Sequence, residues 1–289
     1  MAIRRNNLLP YVMIFPNVAI YFVFIFIPVV WAIYLSFTNY TILNPGKWVG
    51  LSNYAALLKD GIFQKAFWNT MIFWVFKVVP TILLGLVIAV MLNVKIRGVA
   101  VFRGAIYLPG VLSSVAISMA WLWLLHPRNG PINAIVKLLG FAPQNWLQDP
   151  VLALPVVIAV SIWTNIGFAM IIYLAGLQGI PSHLYEAAAI DGATGIKKFL
   201  HITVPMLKPI TFFLFITLTI RSFQIFDIVY ILTGGGPLNS TTTIVSQIVK
   251  TAFEEYKMGY ASAQAIVLLF ITVIVTFVNY RFGSSRSMD

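Results

Sequence analysis

The sequence predicts an all-α polytopic membrane protein. Of its 289 residues, 60% are hydrophobic and only 9% charged, against roughly 25% charged in soluble domains. The apolar residues also run continuously over six long stretches. A water-soluble fold cannot hide that much apolar surface, and period-two alternation, the mark of a membrane barrel, is missing. The net charge of +11 fits basic residues flanking helices, since no basic run is interleaved with aromatics as nucleic-acid binding would require. Cysteine is absent, which removes disulfides, thiol catalysis and thiolate metal sites. His126, His183 and His201 lack metal-ligand spacing.

A bilayer core of about 30 Å takes about 20 apolar residues to cross. The expected spans are 11–37, 70–92, 105–125, 152–175, 209–232 and 261–280. The opening MAIRRNNLLPYVMIF has too long an apolar run, and no small-residue cleavage site after it, to be a signal peptide. It is expected to stay as the first helix. Pro28, Pro80 and Gly85 fall inside spans, where neighbouring helices re-satisfy the freed backbone groups. Loops 38–69, 126–151 and 233–260 are each long enough for a short surface helix, and Trp48, Trp121, Trp123 and Trp146 sit near expected interfaces. With the N-terminus inside, Arg4, Arg5, Lys95, Arg97, Arg103, Lys197, Lys198, Lys208, Arg281 and Arg286 are cytoplasmic. Lys47, Lys59, Lys65, Arg128, Lys137, Lys250 and Lys257 are external. That bias favours an N-in/C-in chain with a single domain over 1–289.

One connection is polar. In 181–208, which contains EAAAIDGATGIKKFLHITVP, Pro181 and Ser182 open a helix, with serine available to cap it. The helix runs to Asp191, and Gly192 supplies a sharp turn. Thr194 caps a second helix from Gly195 to about Thr203, which Pro205 should stop. Ile196, Phe199 and Leu200 give that helix an apolar face opposite Lys197 and Lys198. Ala187 and Ala188 let a partner backbone approach closely, and Glu186 can pair with a basic group. On composition alone a solvated connector remains an equal reading.

The spacing of Glu186, Ala187, Ala188, Gly192, Ile202, Val204 and Pro205 resembles the motif of membrane subunits of binding-protein-dependent, ATP-driven importers. Only Val204 departs from it, standing where the motif has leucine. FRGAIYLPGVLSSVAISMAW, GPINAIVKLLG, LAGLQGIPSHLYEAAAIDGA and ILTGGGP extend the resemblance over nearly the whole chain. They are similar to the maltose-type first permease of the carbohydrate-uptake branch, in its six-helix form. The resemblance implies a permease subunit in a bacterial or archaeal cytoplasmic membrane. Its elbow, through Glu186, Ala187, Ala188, Gly192, Phe199, Ile202 and Pro205, would seat in a cleft on an ATPase. Implied partners are a second related permease, two ATPase subunits, an extracytoplasmic sugar-binding protein, lipid and a sugar. No GxxxxGK[ST] phosphate loop occurs in the sequence. The chain is therefore expected to bind no cofactor and not to be an enzyme, with ATP and Mg held by the ATPase.

Charged groups inside spans cost about 2.5–3.5 kcal/mol on insertion scales and usually face a cavity or a partner. Lys77, Arg221 and Asp227 are such groups. On a continuous fifth helix, Arg221, Gln224 and Asp227 form a winding polar ridge, with Arg221 and Asp227 about 240° apart. Phe223, Phe226 and Tyr230 lie beside it. Amide and carboxylate groups beside aromatic rings suit a sugar; equally, the ridge is structural. The resemblance places a mid-membrane pocket near Gly110 and Ser114, then Ser161, Trp163 and Phe168, then Leu218, Ser222 and Ile225, with Asn165 a further candidate. Leu218 and Ile225 are apolar for this role, and aromatic packing explains Trp163 as well as sugar stacking does. Gly234-Gly235-Gly236-Pro237 is either a helix stop or a point of close approach for a docked partner. A gradient-driven carrier is the rival reading, but it calls for several intramembrane acids, and Asp227 stands alone well inside a span.

Overall fold

The computed structural model describes residues 9–94 and 96–284. Arg4, Arg5, Lys95 and Arg286, used above for orientation, lie outside the described residues. The chain forms α1 (Leu9–Tyr21), a π-turn (Phe22–Phe26), α2 (Ile27–Ser36), α3 (Ser52–Lys59), α4 (Gly61–Leu92), α5 (Val99–Val111), α6 (Ser114–Leu124) and α7 (Pro131–Leu138). It continues with α8 (Ala153–Gln178), α9 (Ser182–Ile190), α10 (Gly195–Lys198), a second π-turn (Phe199–Thr203), α11 (Val204–Met206), α12 (Lys208–Phe223) and α13 (Asp227–Thr233). Last come α14 (Ile244–Val249), a third π-turn (Lys250–Glu254) and α15 (Met258–Ser284). Among the described residues, extended pairing is limited to two isolated bridges, Thr38 with Trp48 and Thr41 with Asn44.

Among the described residues, four segments are long and apolar enough to cross a membrane: Tyr11–Ser36, Gly61–Leu92, Ala153–Gln178 and Met258–Asn279. Two bent pairs raise the number to six if each is one span. The sequence predicts an unbroken helix over 105–125, but the chain turns 98° between α5 and α6, at Leu112 and Ser113. The expected span 209–232 is likewise interrupted, with α12 ending at Phe223 and α13 beginning at Asp227. Irregular backbone at such depth is tolerated where it lines a cavity. Short helices do occupy the three loops, as α3, α7 and α14, although no residue of α14 is exposed and α4 starts nine residues before the expected 70.

Pro28 and Pro205 share a device. Each is the second residue after a π-turn, whose i→i+5 bonding widens the helix where a proline ring would otherwise strike the carbonyl four residues back. The helix therefore passes through Pro205 to Met206 instead of stopping there.

The helices divide into two compact units. One holds Leu9–Asp60 with Ile248–Phe270. In it Asn53 Nδ2 donates to the carbonyls of Ser36 and Thr38, both at 2.8 Å, and Tyr54 Oη donates to Ser36 Oγ at 2.7 Å, docking α3 on the end of α2. Tyr260 Oη donates to Asp60 at 2.9 Å. The central window of Tyr11–Ser36 has none of its residues buried. Twenty-six residues, a helix of about 39 Å, thus offer an apolar surface on every side, as a lipid-facing helix does.

The other unit comprises Gly61–Gln247 and Ile271–Ser284. Its centre is α8, half buried along its window and packed on α4, α5, α12 and α13. One core joins Val78, Ile82 and Ala89 of α4 to Met170, Tyr173 and Leu177 of α8 and Leu214 and Leu218 of α12. A second joins Phe73, Ile117, Val157, Ile158, Val229 and Leu232. Helices in lipid lack a hydrophobic drive to associate and use polar links. Here Trp74 Nε1 donates to Thr219 Oγ1 and Tyr173 Oη to Thr211 Oγ1, both at 2.9 Å.

Candidate functional site

The polar connection folds as the sequence predicts in outline. α9 ends in a Schellman motif: Gly192, at φ +74°, donates its N–H to Ala189 at 3.1 Å, and Ala193 donates to Ala188 at 2.8 Å. Glycine takes this left-handed conformation without a Cβ penalty. The two expected side-chain caps are not made, because Pro181 is the N-cap of α9 with Ser182 one place inside, and Thr194 caps α10 by backbone alone. Tyr185 Oη and Thr203 Oγ1, 2.9 Å apart, tie the two arms together.

Glu186, Ala187 and Gly192 are exposed; Ala188, Phe199, Ile202 and Pro205 are half-buried. A Cβ built on Gly192 meets nothing within 4 Å. Ile190 and Ile196, 88% and 74% exposed, add an apolar surface to the same turn. Phe199 is half-buried while Ala187 and Glu186 are exposed, and the Tyr185–Thr203 bond braces the elbow, so it keeps an open surface.

A cavity of about 490 Å³ lies where the two helix breaks meet α4 and α8. Ser114, Asn165, Phe168, Gln224, Ile225 and Asp227 line it, as do Lys77, Gly110 and Arg221. The break after Phe223 brings Gln224, Ile225, Phe226 and Asp227 to one wall, and Thr243 Oγ1 donates to the freed Ile225 carbonyl at 3.2 Å. The winding ridge expected on a continuous helix is therefore absent. Arg221 and Asp227 sit on different helices and reach the cavity from either side of the break.

Four expected residues do not line the cavity, among them Leu218, which is buried in the core that joins α4, α8 and α12. Ser222 is buried and its hydroxyl donates to Leu218 at 2.6 Å. Ser161 is buried too, its carbonyl accepting from Asn165 Nδ2 at 2.8 Å. Trp163 meets Trp121 edge to face at 5.5 Å, the aromatic-packing alternative. Tyr107 and Thr164 are lining residues that the sequence does not mark, whereas Phe226 belongs to the aromatic stripe expected beside the ridge. Thr164 is masked in the sequence by its helix-internal bond to Ser161; Lys77 carried a signal as an intramembrane cation.

The glycine run is a turn. Gly234 and Gly235 have φ of +58° and +89°, Gly234 donates to Tyr230 at 3.0 Å, and a Cβ on Gly235 would meet Thr242 Oγ1 at 2.7 Å. The following loop is held on α4 by Asn69 Nδ2, which donates to Asn239 and Thr242, both at 3.0 Å.

Apolar spans, a polar cavity at helix breaks and a braced polar elbow together define a multi-pass transport component of a membrane. Residues 49–287 match the family described as binding-protein-dependent transport system inner membrane component, and the chain belongs to that family. It is 35% identical to the trehalose/maltose transport system permease protein MalF of Thermococcus litoralis, over 94% of this chain and 92% of that one. It is 36% identical to a probable ABC transporter permease protein of Pyrococcus horikoshii, over 94% and 95%. The sn-glycerol-3-phosphate transport system permease protein UgpA of Agrobacterium fabrum is 31% identical, over 97% and 96%. The fold matches a chain in the crystal structure of a bacterial alginate ABC transporter in complex with alginate pentasaccharide-bound periplasmic protein, with a TM-score of 0.87 at 22% identity, covering 97% and 95%. Subunits of this family are permeases and not enzymes; the ATPase is a separate subunit.

Proposed function

We propose that this chain is the transmembrane permease subunit of an ATP-driven importer for a sugar or oligosaccharide. It forms half of the translocation path beside a second, related permease subunit. Solute arrives from an extracytoplasmic binding protein, and two separate ATPase subunits hold ATP and Mg; this chain carries no cofactor. It spans a bacterial or archaeal cytoplasmic membrane six times as one permease domain over 1–289, both termini inside, with lipid around the outer faces.

The observation that carries this reading is the elbow at 181–208. Its turn is fixed by the Gly192 Schellman motif and braced by Tyr185 and Thr203, while Glu186, Ala187 and Gly192 stay open to a partner. A stiff, exposed elbow transmits a stroke; a loose one absorbs it. ATPase closure pulls on the elbow, and the pull passes through α11 into α12, the helix that carries Arg221 to the cavity. Sugar-transport relatives and the amide, carboxylate and aromatic lining support the solute class. Native mass spectrometry of the gently purified complex tests the reading. The expected mass is one copy of this chain, one different permease and two ATPase copies. A lone chain or homo-oligomer that moves solute without an ATPase overturns it in favour of a gradient-driven carrier.

A further inference from the structure

Lys77 and Arg221 both open into the cavity, and Asp227 is the one carboxylate among its lining residues. Two cations against one anion leave one positive charge in surplus. Lys77 is only 2% exposed, and its ammonium makes no hydrogen bond or ion pair with any described residue. Its nearest favourable neighbour is the Phe73 ring, with Nζ 5.9 Å from the centroid, at the outer edge of cation–π reach. Arg221 lies over the Phe168 ring at 4.7 Å and repels Lys77. An ammonium that opens into the cavity beside a second cation, with no carboxylate of its own among the described residues, favours an anion entering that cavity.

We infer that the cavity takes a solute with an acidic group, a carboxylate, sulfonate or phosphate on a sugar-like body, held between Lys77 and Arg221. The inference rests on the permease reading and adds the charge class of its solute. A neutral saccharide leaves Lys77 without a partner, whereas an acidic one supplies both the missing charge and charge-assisted hydrogen bonds. The Arg221 fork suits two oxygens at once, and Lys77 serves as a point charge behind it. Gln224 and Asn165 are left for hydroxyl groups of the body.

The test is ATP-driven uptake by proteoliposomes holding the whole complex, with its binding protein outside. The probes are matched pairs: trigalacturonate against galactotriose, and glycerol 3-phosphate against glycerol. The acidic member of a pair is expected to enter and its neutral partner not. Lys77→Met or Arg221→Gln should each lower acidic uptake about ten- to a hundredfold, the loss of one bond to a charged group. Each should also lower the ratio of acidic to neutral uptake, which a purely structural role would leave unchanged, with the ATPase still bound. Entry of neutral members only overturns the inference, and so does a complex that keeps its ATPase yet takes up neither class; a carboxylate of the second permease then neutralises Lys77, and the importer reading stands. A chain that purifies without any ATPase overturns the importer reading itself.

Discussion

Replacing Gly192 with valine separates the shape of the elbow from the space around it. The residue sits at φ +74°, where a residue with a Cβ is disfavoured by roughly 1–2 kcal/mol and a β-branched one is an outlier. Nothing lies within 4 Å of the added Cβ, so that atom meets no clash inside the chain. The cost falls on the turn alone. One to two kcal/mol lowers the ratio of turned to unturned elbows about 5- to 30-fold, and partner affinity falls with the turned fraction, by up to that factor. Titrating labelled ATPase onto nanodisc-held complex should show that loss while thermal unfolding of the transmembrane body is unchanged. Asparagine, which tolerates the left-handed region, should bind nearly as the natural protein does. If valine binds the ATPase undiminished, or asparagine loses as much as valine, turn geometry is not what the ATPase reads.

Other consequences follow from single contacts. Tyr185→Phe removes the bond to Thr203, about 0.5–1.5 kcal/mol, and should speed hydrogen exchange over residues 183–190 without changing exchange in α8. Asn133 is buried and makes four hydrogen bonds, to the Pro127 and Gln144 carbonyls and from the Gln144 N–H and Trp146 Nε1; Asn133→Ala leaves partners unsatisfied at about 1–3 kcal/mol each and should open 126–151 to limited proteolysis. Ser222→Ala should leave uptake unaltered, because its hydroxyl is spent on Leu218. Gln224→Ala, on the cavity wall, should slow uptake in the same assay.

The sequence carries the elbow well and the cavity only in part, for a physical reason. Gly192 acts through a left-handed backbone conformation that glycine supplies easily, so its position is readable. The break at Gln224–Phe226 has no proline or glycine; the chain stops its helix there because tertiary partners such as Thr243, which donates to the freed Ile225 carbonyl, satisfy the freed groups. Those partners lie far along the chain and leave no local mark. Pro109-Gly110 did mark the neighbourhood of the α5–α6 bend, but the size of the turn is set by packing. The passage of the helix through Pro205 depends on hydrogen-bond register, which composition does not encode. Ser161, Trp163 and Ser222 missed the cavity because a residue type suited to sugar is equally suited to helix packing.

Because the chain has no cysteine of its own, a single introduced thiol reports contact without background. Ala187→Cys places it on the exposed elbow, and Phe141→Cys, at a position 68% exposed in the loop 126–151, serves as the opposite-side control. Thiol-specific cross-linking in native membranes should join the Ala187→Cys chain to an ATPase subunit and leave the Phe141→Cys chain unlinked to it. An ATPase adduct from Phe141→Cys, or none from Ala187→Cys in a complex that still hydrolyses ATP and transports, would contradict the coupling role of the elbow.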